Sequence, residues 1–573
     1  MPMFLLNSGL VLLLFPHLVF SSILTDSQNG PFPGLGYTPP FKTYSGYLDA
    51  KNQKGASNWR MFYWLTESKN DPAKDPLAIY LAGGPGCTSV GEAFQEMGPF
   101  YANFGGDSLY ENVYAWNARA NVLYIDTPIG TGFSYDTNDT MSIYADDDLS
   151  RQQNYASIFD FFSRVAPEYK DRDFYLTGSS YSGVWQPMVA ALIVDGINNK
   201  QFPNPNFKGF AIGNGYLDVI DLSNALVLWQ AYHGKVAISQ WEQMKKECYV
   251  ENAGQRQYDM DTYNFFHFAS TSNGFDWESD KSACGNFTVG LIDQPEVYNF
   301  YLECWGYEED SSDGMRRKRP LQNPKSQTRF KKGFENHMAQ SYRKPNSDPK
   351  VNTALLQNFE SSDTQYGLPC WIMGAVTNYF NKPEVQKVFH IADDWRGKDG
   401  KVKEYVECND DLYQQYNHSD KLSMQPYFEY IFENWKNPLK ILIYNGDVDT
   451  VCNYLGDMKF VQRIAGKYNF KESDRTRWNF RGLTAGWQQR FTKDQIIIDM
   501  LTVKGAGHFV PNDRGGASVQ MITGFFSHNP PNYETNLTNP TPQPIEFQQE
   551  TVTKETSILS LLPAIGILIS AFL

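Results

Sequence analysis

The sequence predicts an α/β fold with a mostly parallel central sheet flanked by helices, and two observations support this prediction. Short apolar runs that end in turn residues recur along the chain, and segments of helical character separate several of them. Strands that alternate with helices are typical of a parallel sheet covered by helices. The predicted strands are 76–82, 121–126, 173–177, 208–212, 440–444 and 495–503, and the predicted helices are 146–166 and 184–196.

The composition is that of a protein with a large folded core. The chain has 573 residues, of which 41% are hydrophobic and 15% aromatic, so most of its length can be buried in a packed structure. Its formal net charge of −14 argues against a nucleic-acid partner, because a polyanion would be repelled. The sequence implies no metal and no organic cofactor.

Both ends of the chain carry apolar segments that predict processing or membrane attachment. Residues 4–20 are apolar and small residues follow, so we predict a signal peptide over 1–22, with a retained membrane anchor as the alternative. A polar stalk (531–557) precedes an apolar tail (558–573), which has the layout of a GPI-attachment signal or, alternatively, of a short membrane anchor. The predicted location is the secretory pathway, followed by the extracellular space, the cell surface or the lysosome.

Sequons and cysteines support the secretory prediction. Seven cysteines in an oxidising compartment predict three disulfides and one remaining thiol, and none of their spacings is typical of a zinc site. The sequence also contains four potential glycosylation sites. Their acceptor residues are Asn138, Asn286, Asn417 and Asn536.

One catalytic domain is predicted over residues 23–530. Between about 218 and 370 the alternating pattern loosens, which predicts an insertion over one end of the sheet. Within it, residues 311–352 are basic and polar and predict a mobile surface loop. A processing site at the tetrabasic run 316–319 is the alternative, although Pro320 disfavours cleavage there.

The stretch from Gly178 to Gly183 follows a predicted strand and precedes a predicted helix. Two glycines bracket Ser180, as they would where a strand turns sharply into a helix and presents a nucleophile. A simple Gly–Ser turn is the alternative reading. Two later segments favour catalysis, since Asp447 and Asp449 follow one predicted strand and His508 follows another. The chain order of nucleophile, acid and histidine is that of an α/β-hydrolase.

Five blocks of the sequence resemble those of a known enzyme family. They are LAGGPGCTSVGEAFQEMGPF (81–100), WNARANVLYIDTPIGTGFSY (116–135), KGFAIGNGYLD (208–218), YNGDVDTVCN (444–453) and KGAGHFVPNDRG (504–515). On these blocks the chain resembles the serine carboxypeptidases, the family of cathepsin A and of yeast and plant enzymes, over about residues 33–529. The resemblance implies an α/β-hydrolase fold with a helical insertion, and peptide or protein C-termini as substrates.

The resemblance also assigns roles to individual residues. It implies Ser180 as nucleophile, Asp449 rather than Asp447 as acid, and His508 as base, with the backbone N–H groups of Gly84 and Tyr181 as the oxyanion hole. It implies the disulfides Cys87–Cys408 and Cys304–Cys370, which leaves Cys248–Cys284 as a pair inside the insertion. Cys452 corresponds to a thiol beside the substrate pocket in some members.

Two departures from the family pattern affect substrate binding. The family binds the terminal carboxylate of its substrate through an Asn and two acidic side chains. The corresponding positions are Ala82, Ser179 and Glu96, so only Glu96 keeps the family's residue type, and it lacks the carboxyl partner that position 179 would supply. This substitution predicts weaker carboxylate recognition, because each lost hydrogen bond costs about 1–3 kcal/mol.

Three hypotheses for function remain open from the sequence. The first is a serine carboxypeptidase with altered carboxylate recognition. The second is an esterase, amidase or acyltransferase that uses the same triad, and the third is an inactive binding homologue, against which the complete triad argues. The oligomeric state is also open, with a homodimer as one alternative.

Overall fold

The computed structural model of the chain describes residues 24, 27–50, 58–249, 265–270, 278–292, 298–301, 372–397, 403–418, 423–535 and 537–538. Several predictions lie outside these residues and stay predictions. They concern the signal peptide, the basic loop 311–352, the pair Cys304–Cys370, the acceptor Asn536 and the apolar tail.

The strands belong to one large sheet and two small two-stranded sheets. In chain order they are β1 (Thr43–Ala50), β2 (Trp59–Thr66), β3 (Leu77–Leu81), β4 (Phe100–Ala102), β5 (Leu109–Glu111), β6 (Asn121–Ile125), β7 (Tyr135–Asp136), β8 (Phe174–Ser180), β9 (Phe207–Gly215), β10 (Ala269–Ser270), β11 (Glu278–Ser279), β12 (Leu439–Gly446), β13 (Lys471–Glu472), β14 (Thr476–Phe480), β15 (Leu483–Lys493) and β16 (Ile496–Val503).

The large sheet has 12 strands, and its main path runs β1-β2-β6-β3-β8-β9-β12-β16-β15-β13. Neighbours from β6 to β16 along this path pair in parallel, whereas β1 with β2, β2 with β6, and β15 with β16 and β13 pair antiparallel. Strands β7 and β14 add to β2 and β15. The predicted mostly parallel centre is therefore confirmed, and antiparallel strands extend it on both sides.

The α-helices cover the sheet and part of the insertion. In chain order they are α1 (Ser89–Ala93), α2 (Asp147–Asp160), α3 (Ser182–Asn198), α4 (Val219–Gln230), α5 (Ile238–Glu247), α6 (Phe265–Phe268), α7 (Ala283–Ile292), α8 (Ile372–Phe380), α9 (Pro383–Val388), α10 (Asp410–Gln415), α11 (Gln425–Asn434), α12 (Tyr454–Lys467), α13 (Val510–Asp513) and α14 (Gly515–Ser527).

Each predicted strand and both predicted helices are present. Strand β8 extends three residues beyond its prediction, to Ser180, and a π-helical turn (Phe161–Val165) continues α2 towards its predicted end. The antiparallel edge strands were not predicted. Strand β15 illustrates why, because its exposed and buried side chains are mixed and give no continuous apolar run. Strand β12, by contrast, is buried at every position, as expected for the centre of a parallel sheet.

Two disulfides join distant parts of the described chain. Cys87 is bonded to Cys408, and Cys248 to Cys284, which confirms two of the three pairs expected from the family resemblance. The first connects the loop after β3 to the segment before α10, and the second connects α5 to α7 within the insertion. Among the described residues, no helix has both the length and the hydropathy to cross a bilayer.

Candidate active site

Three loops that follow parallel strands meet at one edge of the large sheet. Strand β8 ends at Ser180, β12 ends three residues before Asp449, and β16 ends five residues before His508. These strands and β9 are neighbours in the order β8-β9-β12-β16, and all pair in parallel. Their carboxyl ends therefore lie at the same edge, where ligands bind in open α/β sheets.

Ser180 occupies a strained turn between β8 and α3. Its φ is 60°, a left-handed conformation that a residue other than glycine rarely adopts without a structural reason. The two bracketing glycines explain how the turn packs. A Cβ at Gly178 would overlap the carbonyl oxygen of Leu81 on β3, and a Cβ at Gly183 would lie 2.6 Å from the backbone nitrogen of Tyr216. Glycine is needed at both positions because neighbouring backbone approaches closely.

The loop after β3 approaches the same turn. A Cβ at Gly83 would lie 2.7 Å from the Cβ of Ser180 and 3.0 Å from the backbone nitrogen of Tyr181. The next residue, Gly84, has a φ of 107°, which strongly favours glycine. The glycines at 83 and 84 thus bring the backbone of this loop against the Ser180 turn.

Asp449 and His508 form a buried hydrogen-bonded pair. The Nδ1 of His508 lies 2.8 Å from Oδ2 of Asp449, and the two side chains are 4% and 0% exposed. The same carboxylate oxygen accepts from the side chain of Asn214 at 2.8 Å and from the backbone N–H of Cys452 at 3.1 Å. The other oxygen accepts from the backbone N–H of Val451 at 2.8 Å. The carboxylate is therefore fixed by four donors.

The other acidic residue of this loop, Asp447, is hydrogen-bonded elsewhere. Its Oδ1 accepts a hydrogen bond of 2.7 Å from the backbone N–H of Gly505.

The histidine loop also contacts the insertion. The backbone nitrogen of His508 donates to the carbonyl of Tyr298 at 2.6 Å, and the rings of these two residues are 5.1 Å apart between centroids. A segment of the insertion therefore helps to hold the histidine loop.

One cavity contains both the serine and the histidine. The residues that line it come from the loop after β3, from α1 and the residues that follow it, from the β8 turn and from Tyr298 of the insertion. Others come from α8, from the segment around the first disulfide and from the loop after β16. The lining residues are Gly84, Cys87, Glu92, Gln95, Ser179, Ser180, Tyr298, Met373, Glu407, Cys408, His508 and Phe509.

The residues assigned to substrate binding occupy different places. Ser179 lines the cavity, whereas Ala82, Glu96 and Cys452 are buried and are not among the lining residues. The backbone N–H of Ala82 donates a 2.9 Å hydrogen bond to the hydroxyl oxygen of Ser89. Cys452 is fully buried behind the Asp449 loop and forms no disulfide with the other described cysteines.

The residues assigned to the oxyanion hole lie beside the Ser180 turn. Gly84 lines the cavity, and Tyr181 follows Ser180 directly at the start of α3. The phenol of Tyr181 is buried and donates a 2.9 Å hydrogen bond to Asp147 of α2. This contact holds the Tyr181 side chain against α2.

Sequence reasoning missed three polar residues that line the cavity, Glu92, Gln95 and Glu407. Glu92 accepts a 2.6 Å hydrogen bond from the phenol of Tyr80, which also lies 3.3 Å from the hydroxyl of Ser179. Burial raises the pKa of Glu92 to about 7, against the lowering effects of the Tyr80 hydrogen bond and of the charge of His508. Residues 92, 95 and 96 lie in the stretch 81–100 that resembles the family, and their spacing around one helical turn was the available clue.

The carboxyl of Glu96 has neighbours that the sequence comparison did not predict. Burial raises the pKa of Glu96 well above its ordinary value, and the charges of Glu92, Asp513 and Glu407 raise it further. Position 179 supplies no carboxyl, but the charges of these other carboxyls act on Glu96. The sequence comparison considered position 179 alone, whereas the structure brings other carboxyls from α1 and from the disulfide-linked segment.

Glu407 contributes a third buried carboxyl. Burial raises its pKa well above the ordinary value, and the charges of Glu92 and Asp126 add to the rise. Hydrogen bonds from the side chains of Tyr405 and Gln95 oppose it. The pKa of Asp126 is itself raised to about 7 by burial. These carboxyls are crowded in a weakly solvated region, so each disfavours the ionisation of the others.

The mostly parallel sheet, the helices on it and the turn that presents Ser180 define an α/β-hydrolase. The family model described as serine carboxypeptidase matches residues 33–528, which is most of the chain. The chain therefore belongs to the serine carboxypeptidase family, whose members are serine hydrolases.

Individual relatives agree with this assignment. The chain is 42% identical over 513 residues to the serine carboxypeptidase ctsa-3.1 of Caenorhabditis elegans, covering 86% of this chain and 87% of the relative. It is 32% identical over 509 residues to the lysosomal protective protein of Mus musculus, covering 87% and 93%. The crystal structure of Kex1(delta)p, a prohormone-processing carboxypeptidase from Saccharomyces cerevisiae, has the same fold, with a TM-score of 0.61 at 20% identity and coverage of 88% and 96%.

Proposed function

We propose that the protein is a serine carboxypeptidase that hydrolyses C-terminal peptide bonds through an acyl-enzyme intermediate. Ser180 attacks the carbonyl carbon of the last peptide bond, and His508 accepts the hydroxyl proton. The same imidazole then gives this proton to the leaving amino group, and the amino acid departs. Water, deprotonated by His508, hydrolyses the ester on Ser180 and restores the free hydroxyl.

One observation carries this proposal. His508, whose Nδ1 lies 2.8 Å from the carboxylate of Asp449, lines the same cavity as Ser180, which is held at a φ of 60°. Because Asp449 is an acceptor, Nδ1 carries the proton that it donates, and Nε2 is left as the basic nitrogen for Ser180. Asp449 then stabilises the imidazolium that forms during the reaction.

The tetrahedral intermediate carries a negative oxygen that needs donors. We assign this role to the backbone N–H groups of Gly84 and Tyr181, which come from the two glycine-rich turns packed against each other at Ser180. Removing one such donor costs about 10²–10³ in kcat in serine proteases.

We also propose that the substrate carboxylate is bound more weakly at two positions, 82 and 179, than in the family pattern. Ala82 offers no polar side chain, and Ser179 offers a hydroxyl that also lies near the phenol of Tyr80. This difference keeps esterase, amidase or acyltransferase activity on the same residues as the second candidate, because acyl transfer needs the triad but no carboxylate contact.

The test compares substrates that differ only at the C-terminus. An N-blocked dipeptide with a free C-terminus, its C-terminal amide and an N-blocked amino-acid ester are assayed with the purified protein from about pH 4 to 8. We expect kcat/KM to favour the free acid over the amide. Ester turnover without that preference would support the second candidate.

A covalent probe tests the role of Ser180 directly. We expect an alkyl fluorophosphonate to label the protein once, and the labelled peptide in mass spectrometry to contain Ser180. Absence of labelling together with absence of turnover of all three substrates would refute the hydrolase proposal and leave the binding homologue.

We also propose that the mature protein acts in the secretory pathway or beyond it, tethered through its apolar tail. The two disulfides and the exposed acceptors Asn138, Asn286 and Asn417 support this location. One relative, from mouse, is named lysosomal protective protein. Release of the protein from cells by a phosphatidylinositol-specific phospholipase would identify the tail as a GPI signal, and retention would favour a membrane anchor.

A further inference from the structure

Two buried polar side chains lie at the ends of the loop that carries Asp449, and the triad itself does not use them. This loop, residues 447–453, joins β12 to α12, and we call it the acid loop. Asn445 lies at the end of β12, Asp457 lies in the first turn of α12, and both are 0% exposed. The amide Nδ2 of Asn445 donates to Oδ2 of Asp457 at 2.7 Å and to the carbonyl of Cys452 at 3.2 Å. The Asn445 side chain therefore joins the two ends of the acid loop.

The same oxygen of Asp457 also holds the end of strand β9. It accepts a 3.1 Å hydrogen bond from the backbone N–H of Gly215, the last residue of that strand. The residue before it, Asn214, has a φ of 44°, a left-handed conformation that costs free energy and persists only where neighbouring contacts hold it. The side chain of Asn214 accepts from the backbone N–H of Gly446 at 3.1 Å and donates to Oδ2 of Asp449 at 2.8 Å. Asp457 thus anchors the neighbour of a strained residue that bonds the triad.

Two routes from Asp457 end on one atom of the triad. One route runs through the amide that bonds the carbonyl of Cys452, and the backbone N–H of that residue donates to Oδ2 of Asp449 at 3.1 Å. The other route runs through the end of β9 to the side chain of Asn214, which donates to the same oxygen. That oxygen is the one that lies 2.8 Å from Nδ1 of His508. A displacement of Asp457 would therefore change the orientation of the imidazole.

The surroundings of Asp457 favour its neutral form. Its other oxygen, Oδ1, has no hydrogen-bond partner among the residues that the structure describes. Burial raises the pKa of Asp457 well above its ordinary value, the hydrogen bonds that it accepts oppose the rise, and the charges of Asp449 and Asp221 add to it. The Arg463 side chain of the same helix pairs with Asp221 at 2.8 Å. A buried carboxylate with acidic neighbours and an unpaired oxygen is costly, so the protonated acid is the stable form.

We infer that Asp457 is a positioning residue for the proposed reaction, because as a neutral acid it holds the two contacts that orient Asp449 towards His508. This inference rests on the proposed roles of Ser180, Asp449 and His508. A neutral carboxyl suits the task because it accepts both hydrogen bonds without placing a second negative charge beside the triad. The imidazolium that forms during the reaction is then stabilised by Asp449.

The test measures how fast an alkyl fluorophosphonate labels Ser180 in the full-length protein between about pH 4 and 9. Labelling requires the neutral imidazole of His508 but no peptide and no C-terminal carboxylate, so it reports on the triad alone. Asp457→Leu removes both accepted hydrogen bonds at similar volume, and we expect the labelling rate to fall about 10- to 100-fold. The pH midpoint of labelling should also move down by about half a pH unit or more, because a displaced Asp449 stabilises the imidazolium less. Asp457→Asn keeps an acceptor and cannot ionise, so it should retain the wild-type midpoint and a rate within about threefold.

A buried acid outside the acid loop separates positioning from stability. Asp499 of β16 is 2% exposed and forms an ion pair with Arg490 at 2.6 Å. Asp499→Asn should lower the thermal midpoint, whereas its labelling rate should stay within about twofold of the wild type and its pH midpoint should not move. If Asp499→Asn loses labelling to the same extent as Asp457→Leu, or if Asp457→Leu loses rate without a shift of its pH midpoint, the role of Asp457 is structural and the inference is wrong. A large loss in Asp457→Asn would also overturn it.

A second variant keeps the test decisive if Asp457→Leu does not fold. Asn445→Leu breaks the first route at its other end, so we expect the same fall in labelling rate and the same downward shift of the pH midpoint. Wild-type values of both quantities in this variant would overturn the inference.

The same measurements distinguish the inference from the proposed function. A wild type that is labelled at Ser180 but cleaves no C-terminal peptide bond would refute the carboxypeptidase proposal and leave the inference standing. A wild type that is not labelled would refute both. Wild-type labelling in a folded Asp457→Leu would refute the inference alone.

Discussion

The two sides of the active-site cavity are built on opposite principles. On the acid–base side, the Asp449 carboxylate receives four hydrogen bonds, one of them from His508. On the opposite side, Glu92, Gln95 and Glu407 form a group that we call the carboxyl wall, in which two carboxyls lie close together in a buried region. The first side holds its carboxylate through hydrogen bonds, whereas the second favours the protonated forms of its carboxyls.

The acid–base side orients the catalytic imidazole, whereas the carboxyl wall can distinguish substrates by charge. A fully hydrogen-bonded acid keeps the imidazole in one orientation, so it serves a step common to every substrate. A cluster of carboxyls with raised pKa values changes its charge in mildly acidic solution, so it can distinguish substrates by charge.

The largest effect is expected on the acid–base side. Ser180→Ala removes the nucleophile, so kcat/KM should fall at least about 10⁴-fold for acid, amide and ester substrates alike. Fluorophosphonate labelling should disappear, while circular dichroism and the thermal midpoint should show a folded protein. Retention of turnover and labelling would assign the reaction to a different nucleophile.

Two acidic residues of one loop provide a matched pair. Asp449→Asn loses the acceptor that orients His508, and kcat should fall about 10³- to 10⁴-fold. Asp447→Asn alters a carboxylate that accepts from the backbone of Gly505, and kcat should change less than about 10-fold. Steady-state kinetics with the ester substrate measures both. Equal losses in the two variants would contradict the assignment of Asp449.

The carboxyl wall should make stability depend on pH. The pKa of Glu92 is raised by burial to about 7 from its ordinary value of 4.5, so its stabilising contribution is complete below about pH 4.5 and is lost as the pH rises through 7. The shift corresponds to on the order of 3 kcal/mol. Urea unfolding at pH 5 and pH 8 should show this loss in the wild type and a smaller loss in Glu92→Gln.

A surface glutamate supplies the control for this measurement. Glu247→Gln changes an exposed residue of α5 and should reproduce the wild-type pH dependence. If Glu92→Gln also reproduces it, the carboxyl of Glu92 ionises as freely in the folded protein as in the unfolded chain, and the description of the carboxyl wall as weakly solvated is wrong.

The smallest effect concerns the turn that joins the two sides. Gly178→Ala places a methyl group against the Leu81 carbonyl of β3, which should cost about 1–3 kcal/mol of stability and lower kcat by displacing Ser180. Gly466→Ala on α12 has open space around it and should leave stability equal or slightly higher. Thermal unfolding of both variants checks the difference.

Much of the fold was predictable because central parallel strands are apolar at every position. Strands β3, β6 and β12 are buried throughout, and each appears in the sequence as an uninterrupted apolar run bounded by turn residues. The edge strands were not predicted, since β15 is exposed in part and alternates irregularly. The glycines around Ser180 were predicted to serve the turn, and the structure identifies the backbone atoms that require them.

The sequence by itself determined that a serine, an acid and a histidine follow three separate strands in that chain order. Strand patterns and the residues after them are local properties of the chain, so they can be recognised without the fold. Only the tertiary structure decided that Glu92, Gln95 and Glu407 face the serine. The last of these comes from more than 300 residues away along the chain, beside a disulfide partner at a sequence separation of 321. The protonation of a carboxyl depends on burial and on neighbouring charges, and both exist only once distant segments have packed together.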